Sequence, residues 1–234
     1  KVDHIDRVLT LTGNLDAEQR KKLLEGIGVS FEVVVSTVQE TNHPEEKPID
    51  RACDLACLKA CDVAARFPGR WVLGGDTVVE AHDGTLLEKP ADETAADVML
   101  ALQSGTISTV HSAICLIDPT GKRCEGVNSS QVRFRTLTEK DRAWWIATGL
   151  WKDRSGGFQI DGPGQLMIEQ IDGDWTSIVG LPIYLFGRKG QIVVEKTEGV
   201  SEDAILDAGL DAGIEDIEDR GEQFMITTDP SDMV

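Results

Sequence analysis

The chain has 234 residues, of which 41% are hydrophobic and 27% charged, the composition of an ordinary globular protein with one large domain or two small ones. Lys and Arg number 23 against 41 Asp and Glu, and the net charge of −18 argues against general nucleic-acid affinity, which requires excess cations. No stretch approaches the roughly 18 apolar residues of a membrane span, and five cysteines, an odd number, do not suit a secreted disulfide framework. We therefore expect a cytoplasmic protein without a direct nucleic-acid or membrane partner.

Helices and strands are predicted to alternate along the first 150 residues. Apolar spacing and end signals predict four helices, at 16–27 (with Asp16 as N-cap), 49–67, 92–102 and 138–148. Runs of apolar and β-branched residues predict four strands, at 31–35, 71–79, 109–117 and 130–134. This alternation is typical of an α/β or mixed-sheet architecture.

The last part of the chain differs in composition. Residues 201–234 contain 11 acidic residues and one basic residue, Arg220. The pattern predicts a strand, a helix and two further strands, at 191–195, 201–209, 214–219 and 224–228. The break near residues 186–200 indicates a second, smaller unit.

Asp76 is the first candidate for chemistry, because it interrupts an apolar strand directly after Gly74 and Gly75. A buried carboxylate needs a cation or a metal as partner, and paired glycines let a backbone or a ligand approach closely. The alternative is a β-bulge or strand end with a solvated Asp76. The strand pattern alone leaves both interpretations open.

Three cations are weaker candidates, since each has an ordinary explanation as a solvated side chain. Lys89 precedes Pro90 and could reach a phosphate, Lys59 lies in a helix otherwise lined with small residues, and Arg20 begins a basic cluster near a helix start. The cysteines at 53, 57 and 61 form one helical stripe. Small buried cysteines pack like alanine, and we favour this over a metal site, for which tighter thiolate spacing is expected.

Taken together, these segments resemble the Maf family of nucleotide pyrophosphatases over residues 8–185. The resemblance is carried by seven motifs in order: Leu23–Val34, Lys59-Ala60, Gly74–Val79, Leu87–Pro90, Val132–Thr138, Gly156–Phe158 and Gly180–Pro182. It implies a two-lobed, mixed-sheet α/β fold of the ITPase type. It also implies hydrolysis of nucleoside triphosphates of the dTTP/UTP type to the monophosphate and pyrophosphate, with Mg²⁺ or Mn²⁺, and it leaves open a homodimer.

The resemblance also implies roles for individual residues. Asp76 matches the catalytic aspartate, and with Glu40 it would hold the divalent metal. Thr77 matches a position linked to substrate choice. Three cations would bind the phosphates: Arg20, Lys59 and Lys89.

Two further substrate positions depart from the family pattern. Gln19 stands where the family's phosphate loop carries an arginine, and Asp161 where a base-reading glutamine is expected. The resemblance implies that these two residues lie at opposite ends of the substrate. The departures motivate an alternative function, a nucleotide-binding or regulatory protein with impaired catalysis.

The C-terminal residues resemble part of the YebC family of translation and transcription regulators, over about 50 residues including Val193–Lys196 and Asp211–Asp216. We therefore expect a Maf-like domain at 1–185 and an acidic, YebC-like α+β segment at 186–234. Regulation of translation or transcription is a further alternative, and a plain structural cap is the simplest interpretation of this segment.

Overall fold

A computed structural model describes residues 9–12, 17–40, 47–185, 190–197, 199–209 and 213–228. The chain forms two compact units, Lys1–Ile183 and Tyr184–Val234, which are described separately. The predicted N-cap Asp16 lies outside the described residues. Within the described ranges, no helix combines the length and apolar character needed to cross a membrane.

The first unit alternates strands and helices in the order β1-α1-β2-α2-β3-β4-α3-β5-β6-α4-β7-α5. Its strands are β1 (Leu9–Thr12), β2 (Phe31–Val34), β3 (Val72–Glu80), β4 (Leu86–Leu87), β5 (Ile107–Ile117), β6 (Arg123–Phe134) and β7 (Ile168–Asp172). Its helices are α1 (Ala17–Gly26), α2 (Pro48–Arg66), α3 (Glu93–Gln103), α4 (Glu139–Thr148) and α5 (Trp175–Val179). All eight elements predicted for this part are present.

These strands form one mixed seven-stranded sheet in the order β2-β1-β3-β5-β6-β7, with β4 paired to β3. β1 runs parallel to β2 and β3, and the other pairs are antiparallel. The predicted mixed-sheet α/β class is therefore confirmed. The β3–β5 register runs unbroken from Val72↔Ile117 to Glu80↔Thr109, through Asp76↔Ala113. The interpretation of Asp76 as a bulge or strand end is therefore wrong.

Helix α2 packs closely on one face of this sheet. Its residues Ala52, Ala56, Ala60 and Val63 are fully buried against β3 and β5. Gly74 makes the contact possible, because a Cβ there would collide with the Ala56 carbonyl oxygen and lie 2.8 Å from the Ala60 Cβ. Since side chains alternate along a strand, Val72, Asp76 and Val78 all face this helix. The backbone of β3 thus presents Asp76 to α2.

The opposite face of the sheet carries the larger core, which includes the fully buried Phe134 and Trp145. Its helices begin as the sequence predicts. The Asp92 side chain accepts a bond from the Ala95 amide, and Thr138 and Asp141 form a reciprocal capping box. Local end signals were sufficient to place these helices.

Four strands or parts of strands escape prediction from the sequence. β1, β4 and β7 are only four, two and five residues long. The first half of β6, Arg123–Ser129, is largely polar and half exposed. β1 and β4 pair with the longer β3, β7 pairs with β6, and β6 pairs with β5, so no strong local pattern marks these strands.

The second unit is a three-stranded antiparallel sheet with one helix. Its elements are β8 (Gly190–Glu195), α6 (Glu202–Gly209), β9 (Ile214–Asp219) and β10 (Gln223–Thr228), with strand order β8-β10-β9. Ile205 of α6 packs on Phe224 and Ile226 of β10. The predicted order of strand, helix and two strands is confirmed.

The segment 35–40, which carries Glu40, is fixed to α2 by Asp62. The Asp62 carboxylate accepts bonds from the Thr37 amide (2.9 Å), the Thr37 hydroxyl (2.9 Å) and the Ser36 hydroxyl (3.0 Å). Arg66 pairs with the same carboxylate at 2.8 Å and donates to the Val35 carbonyl. These bonds, the one from the Thr37 backbone first, lower the pKa of Asp62 to about 2.

We expect Gly74→Ala to destabilise the first unit by about 1–3 kcal/mol, because the added methyl group forces α2 away from β3. All five tryptophans lie in this unit, so urea unfolding followed by tryptophan fluorescence measures its stability. The control is Gly26→Ala, where nothing lies within 4 Å of the added carbon. Equal midpoints for both variants would show that the close approach of α2 is unimportant.

We expect Asp62→Asn to release the segment 35–40 from α2, because an amide oxygen replaces a carboxylate that accepts several bonds. Hydrogen exchange of the Thr37 amide should become several-fold faster. In the wild type, a carboxylate with a lowered pKa stabilises fully above its ordinary value of 3.8 and loses the effect as the pH falls toward 2. Asp118→Asn, in a turn with a similar acceptor, should leave Thr37 unchanged.

Candidate functional site

A cleft with a cavity volume of about 260 Å³ lies in the first unit, between α1, α2, β3, β4 with the residues 88–89 after it, and the loop at 153–160. Five basic side chains line it: Arg20, Arg51, Lys59, Lys89 and Arg154. Four acidic side chains also line it: Glu40, Asp76, Glu88 and Asp153. In a chain with 23 basic and 41 acidic residues, this local excess of cations marks a site for an anion.

An ion-paired group of three side chains lies in the cleft. The Lys59 Nζ is 2.5 Å from the Asp76 Oδ1 and 2.7 Å from the Glu40 Oε1. The side chains of Lys59 and Asp76 are only 13% and 11% exposed, whereas Glu40 is 36% exposed. One ammonium group therefore holds two carboxylates close together, one on the strand and one on the segment 35–40.

The charge of Glu40 is stabilised by these neighbours. Burial would raise the pKa of Glu40, but the hydrogen bond and charge of Lys59 outweigh it, with help from Lys89 and Arg51. The pKa of this carboxyl therefore lies below its ordinary value. Glu40 is an anion at neutral pH and offers oxygens to a cation.

Lys89 is placed by its neighbour Glu88. The buried Arg51 of α2 pairs with the Glu88 carboxylate at 3.1 Å, and the Glu88 carbonyl accepts a bond from the Gly156 amide at 3.1 Å. The loop after β4 is thus tied both to α2 and to the loop at 153–160. Arg51 was not identified from the sequence, where it is one charge in a helical pattern.

Arg20 is the member of the predicted basic cluster that enters the cleft. It is 7% exposed, and it donates to the Gly180 carbonyl at 2.7 Å and to the Thr77 hydroxyl at 3.2 Å. Among the described residues no carboxylate pairs with it, whereas Lys21 pairs with Glu18 outside the cleft. The guanidinium charge of Arg20 is thus available to a bound anion.

The Thr77 hydroxyl is fully engaged within the protein. Besides accepting from Arg20, it shares a 2.9 Å hydrogen bond with Ser112, which in turn donates to the Ser177 carbonyl at 2.6 Å. Thr77 faces the side of the sheet opposite Asp76. Thr77 therefore helps to hold the Arg20 side chain in place. An effect of Thr77 on substrate choice would act through Arg20.

Gln19 and Asp161 lie side by side, and the expectation that they occupy opposite ends of a substrate is wrong. The Gln19 Nε2 donates to the Asp161 Oδ1 at 2.9 Å, although 142 residues separate them. The Gln19 Oε1 accepts from the Arg154 Nη1 at 2.6 Å. The two departures from the family pattern therefore form one hydrogen-bonded chain with Arg154.

Arg154 was missed by the sequence analysis, although it lies two residues before the resembling segment Gly156–Phe158. Its loop is fixed by bonds from Ser155 to the Thr77 carbonyl (3.1 Å) and from Gln103 to the Gly156 carbonyl (2.7 Å). The Arg154 Nε is buried and lacks a hydrogen-bond partner within the described chain. An unpaired buried donor is costly. Because the Nε is inaccessible, an anion in the cleft would interact with the charge of Arg154, which lines the cleft, rather than with this atom.

The cleft thus combines acidic and basic groups in a way that suits a polyphosphate with a divalent cation. Mg²⁺ in proteins is usually bound by one or two carboxylates together with substrate phosphates. Glu40 and Asp76 provide two hard oxygen donors at one point, and the surrounding cations match phosphate oxygens. The donor set therefore fits Mg²⁺ or Mn²⁺.

Comparison with known proteins identifies relatives of the first unit. The family model described as Maf-like protein matches residues 16–189. The dTTP/UTP pyrophosphatase of Deinococcus radiodurans is 41% identical over 78% of this chain and 90% of its own length. Those of Syntrophotalea carbinolica and Pyrococcus abyssi are 41% and 37% identical, each over 70% of this chain and over 76% and 86% of their own lengths.

Other comparisons concern the fold and the C-terminal residues. A solved nucleoside-triphosphatase / dITP/XTP pyrophosphatase from Mycobacterium abscessus aligns with 56% of this chain and 76% of its own, with 16% identity and a TM-score of 0.37. The family model described as TACO1/YebC second and third domain matches residues 178–234. Since the Maf model covers most of the chain and the relatives match it over most of their length, this chain belongs to the Maf family.

Proposed function

We propose that this protein is a pyrophosphatase that hydrolyses nucleoside triphosphates of the dTTP and UTP type to the monophosphate and pyrophosphate. The observation that carries the proposal is the group of Asp76, Lys59 and Glu40 in a cation-rich cleft. The relatives named dTTP/UTP pyrophosphatase, at 34–41% identity, support the same substrate class.

Phosphate binding is assigned to the cations that line the cleft. Arg20 brings a buried guanidinium without a carboxylate partner in the described chain, and Lys89 reaches in from the loop after β4. Lys59 would move part of its contact from the carboxylates to a phosphate oxygen when substrate binds. These charges are fixed in place before the reaction, so they stabilise charge developing in the transition state without reorganisation.

Glu40 and Asp76 would hold a divalent cation, Mg²⁺ or Mn²⁺. When bound, such a cation neutralises phosphate oxygens and polarises the phosphorus that is attacked. Lys59 keeps the two carboxylates adjacent and limits their motion. The Asp62 contacts keep the segment with Glu40 on α2, so this donor is in place before the substrate arrives.

Asp76 would orient and deprotonate the attacking water. It is buried at the centre of β3, where regular pairing with β5 and contact with Lys59 fix its carboxylate. A general base needs a defined position near the reacting atoms more than any other property. Leu87, Phe158 and Ile160 also line the cleft and would offer apolar contacts to a nucleobase.

The wider context of the activity is also proposed. We infer a functional Maf-like domain at 1–185, working in the cytoplasm, and an acidic YebC-like segment at 186–234. A homodimer remains a prediction. A nucleotide-binding protein with impaired catalysis is the second candidate. It is favoured because Gln19 replaces the phosphate-loop arginine of the family pattern and because the Gln19 side chain already donates a hydrogen bond to Asp161.

We expect Asp76→Asn to lower kcat for dTTP and UTP by about 10²–10⁴-fold, because it removes the general base and a metal ligand. Pyrophosphate release from a panel of triphosphates, with Mg²⁺ or Mn²⁺, measures the activity. Asp97→Asn, which breaks an ion pair with Arg142 outside the cleft, should keep wild-type turnover. Triphosphate binding by calorimetry without pyrophosphate release in the wild type would favour the impaired-binding alternative.

We expect Arg154→Ala to lower kcat/KM by about 10–100-fold, because it removes a charged hydrogen-bond donor from the phosphate site. Lys152→Ala, an exposed cation two residues away, is the matched control. Adding Gln19→Arg to Arg154→Ala should restore part of the loss, since it returns a guanidinium to the same place. If the double variant has the same kcat/KM as Arg154→Ala alone, a guanidinium at position 19 cannot replace that of Arg154.

A further inference from the structure

A cluster of thiols and one carboxylate lies on α2 and the sheet. Cys115 on β5 and Glu125 on β6 are direct partners in the strand register, so their side chains share one face of the sheet. Cys57 comes from α2, which covers that face. The two sulfurs and a Glu125 oxygen all lie within 4.8 Å of one another.

We propose that Cys57, Cys115 and Glu125 form a second metal site, for a thiophilic divalent cation such as Zn²⁺. Two sulfurs bound to tetrahedral zinc at about 2.3 Å lie roughly 3.8 Å apart, so the cluster needs only a small contraction. Zinc accepts both cysteine thiolates and carboxylate oxygens as ligands, and the exposed side of Glu125 leaves room for water as fourth ligand. This donor set differs from the oxygen-only pair in the cleft.

Metal binding requires both thiols to lose a proton, because the thiolate is the ligand. Burial raises the pKa of the Cys57 and Cys115 thiols, so this deprotonation opposes binding and the metal affinity should increase with pH. Arg123 lies 3.6 Å from the Glu125 carboxylate and hydrogen-bonds to Cys61, and it would have to turn away from Glu125.

The sequence could not show this arrangement, because within the helix the cysteines at 53, 57 and 61 have no ligand spacing. The other two ligands, Cys115 and Glu125, meet Cys57 only when β5 and β6 pair beneath α2. A bound metal would join α2, which carries Lys59, to two central strands. The site is independent of the proposed hydrolysis, since none of its three ligands lines the cleft.

The test uses Co²⁺ as a spectroscopic probe on the reduced 234-residue chain, under exclusion of oxygen. Thiolate ligation gives an intense sulfur-to-cobalt charge-transfer band that oxygen ligands in the cleft cannot produce. We expect a band that saturates near one equivalent and bleaches when Zn²⁺ is added. It should be lost in Cys57→Ser and Cys115→Ser and weakened in Glu125→Gln, with unchanged circular dichroism.

Two controls separate this site from other binding. Cys124→Ser removes an exposed thiol next to Glu125, and Asp76→Asn alters the carboxylate pair in the cleft; both should keep the full band. Absence of the band from the wild type, or its persistence in Cys57→Ser, would overturn the proposal. If the buried Cys115→Ser variant does not fold, Cys57→Ser at the half-buried position decides.

Discussion

The close approach of α2 to β3 at Gly74 is the constraint on which the rest of the site depends. Because a glycine there lets the helix lie against the strand backbone, Lys59 reaches Asp76 at 2.5 Å. The same ammonium then fixes Glu40, whose segment is tied to α2 by Asp62. Pairing with one carboxylate would at best offset the desolvation cost of burying the lysine. Two carboxylates leave the group with a net negative charge, which attracts a divalent cation. The close packing of α2 on β3 thus brings the charged side chains of the site together.

The sequence predicts what is determined locally. Helix ends at Asp92 and Thr138 depend on bonds within three residues, and the strand around Asp76 has a strong apolar pattern. The short β1 and β7 could not be predicted, because their pairing partners, rather than their own residues, make them strands. The same distinction between local signals and contacts with distant residues holds in the site. Asp76, Lys59 and Lys89 lie in recognisable motifs, whereas the contact of Gln19 with Asp161 spans 142 residues and follows only from the fold.

The chain as a whole is negatively charged, whereas the side chains that line the cleft include more cations than anions. The range over which charges interact determines which of the two affects a bound substrate. At physiological ionic strength, screening reduces interactions beyond roughly 8 Å, so most of the net charge of −18 acts weakly on a molecule inside the cleft. Arg20 is buried and the Lys59 side chain is only 13% exposed, so both charges are much less screened. The acidic surface would slow the approach of a free triphosphate more than that of its metal complex, which carries less negative charge. Binding as the metal complex is consistent with the carboxylate pair in the cleft.

The group of Gln19, Arg154 and Asp161 bears most directly on whether catalysis survives. With an arginine at 19 and a glutamine at 161, as in the family pattern, this group would gain one positive charge and lose one negative charge relative to its composition here. Binding of a polyanion should therefore be weaker than in relatives with that pattern. The transition state depends on something else, namely donors already aimed at the oxygens where charge develops. The loop bonds from Ser155 and Gln103 fix Arg154. A charge that is fixed in place before the reaction stabilises the transition state without reorganisation, so the altered phosphate loop should reduce affinity more than turnover.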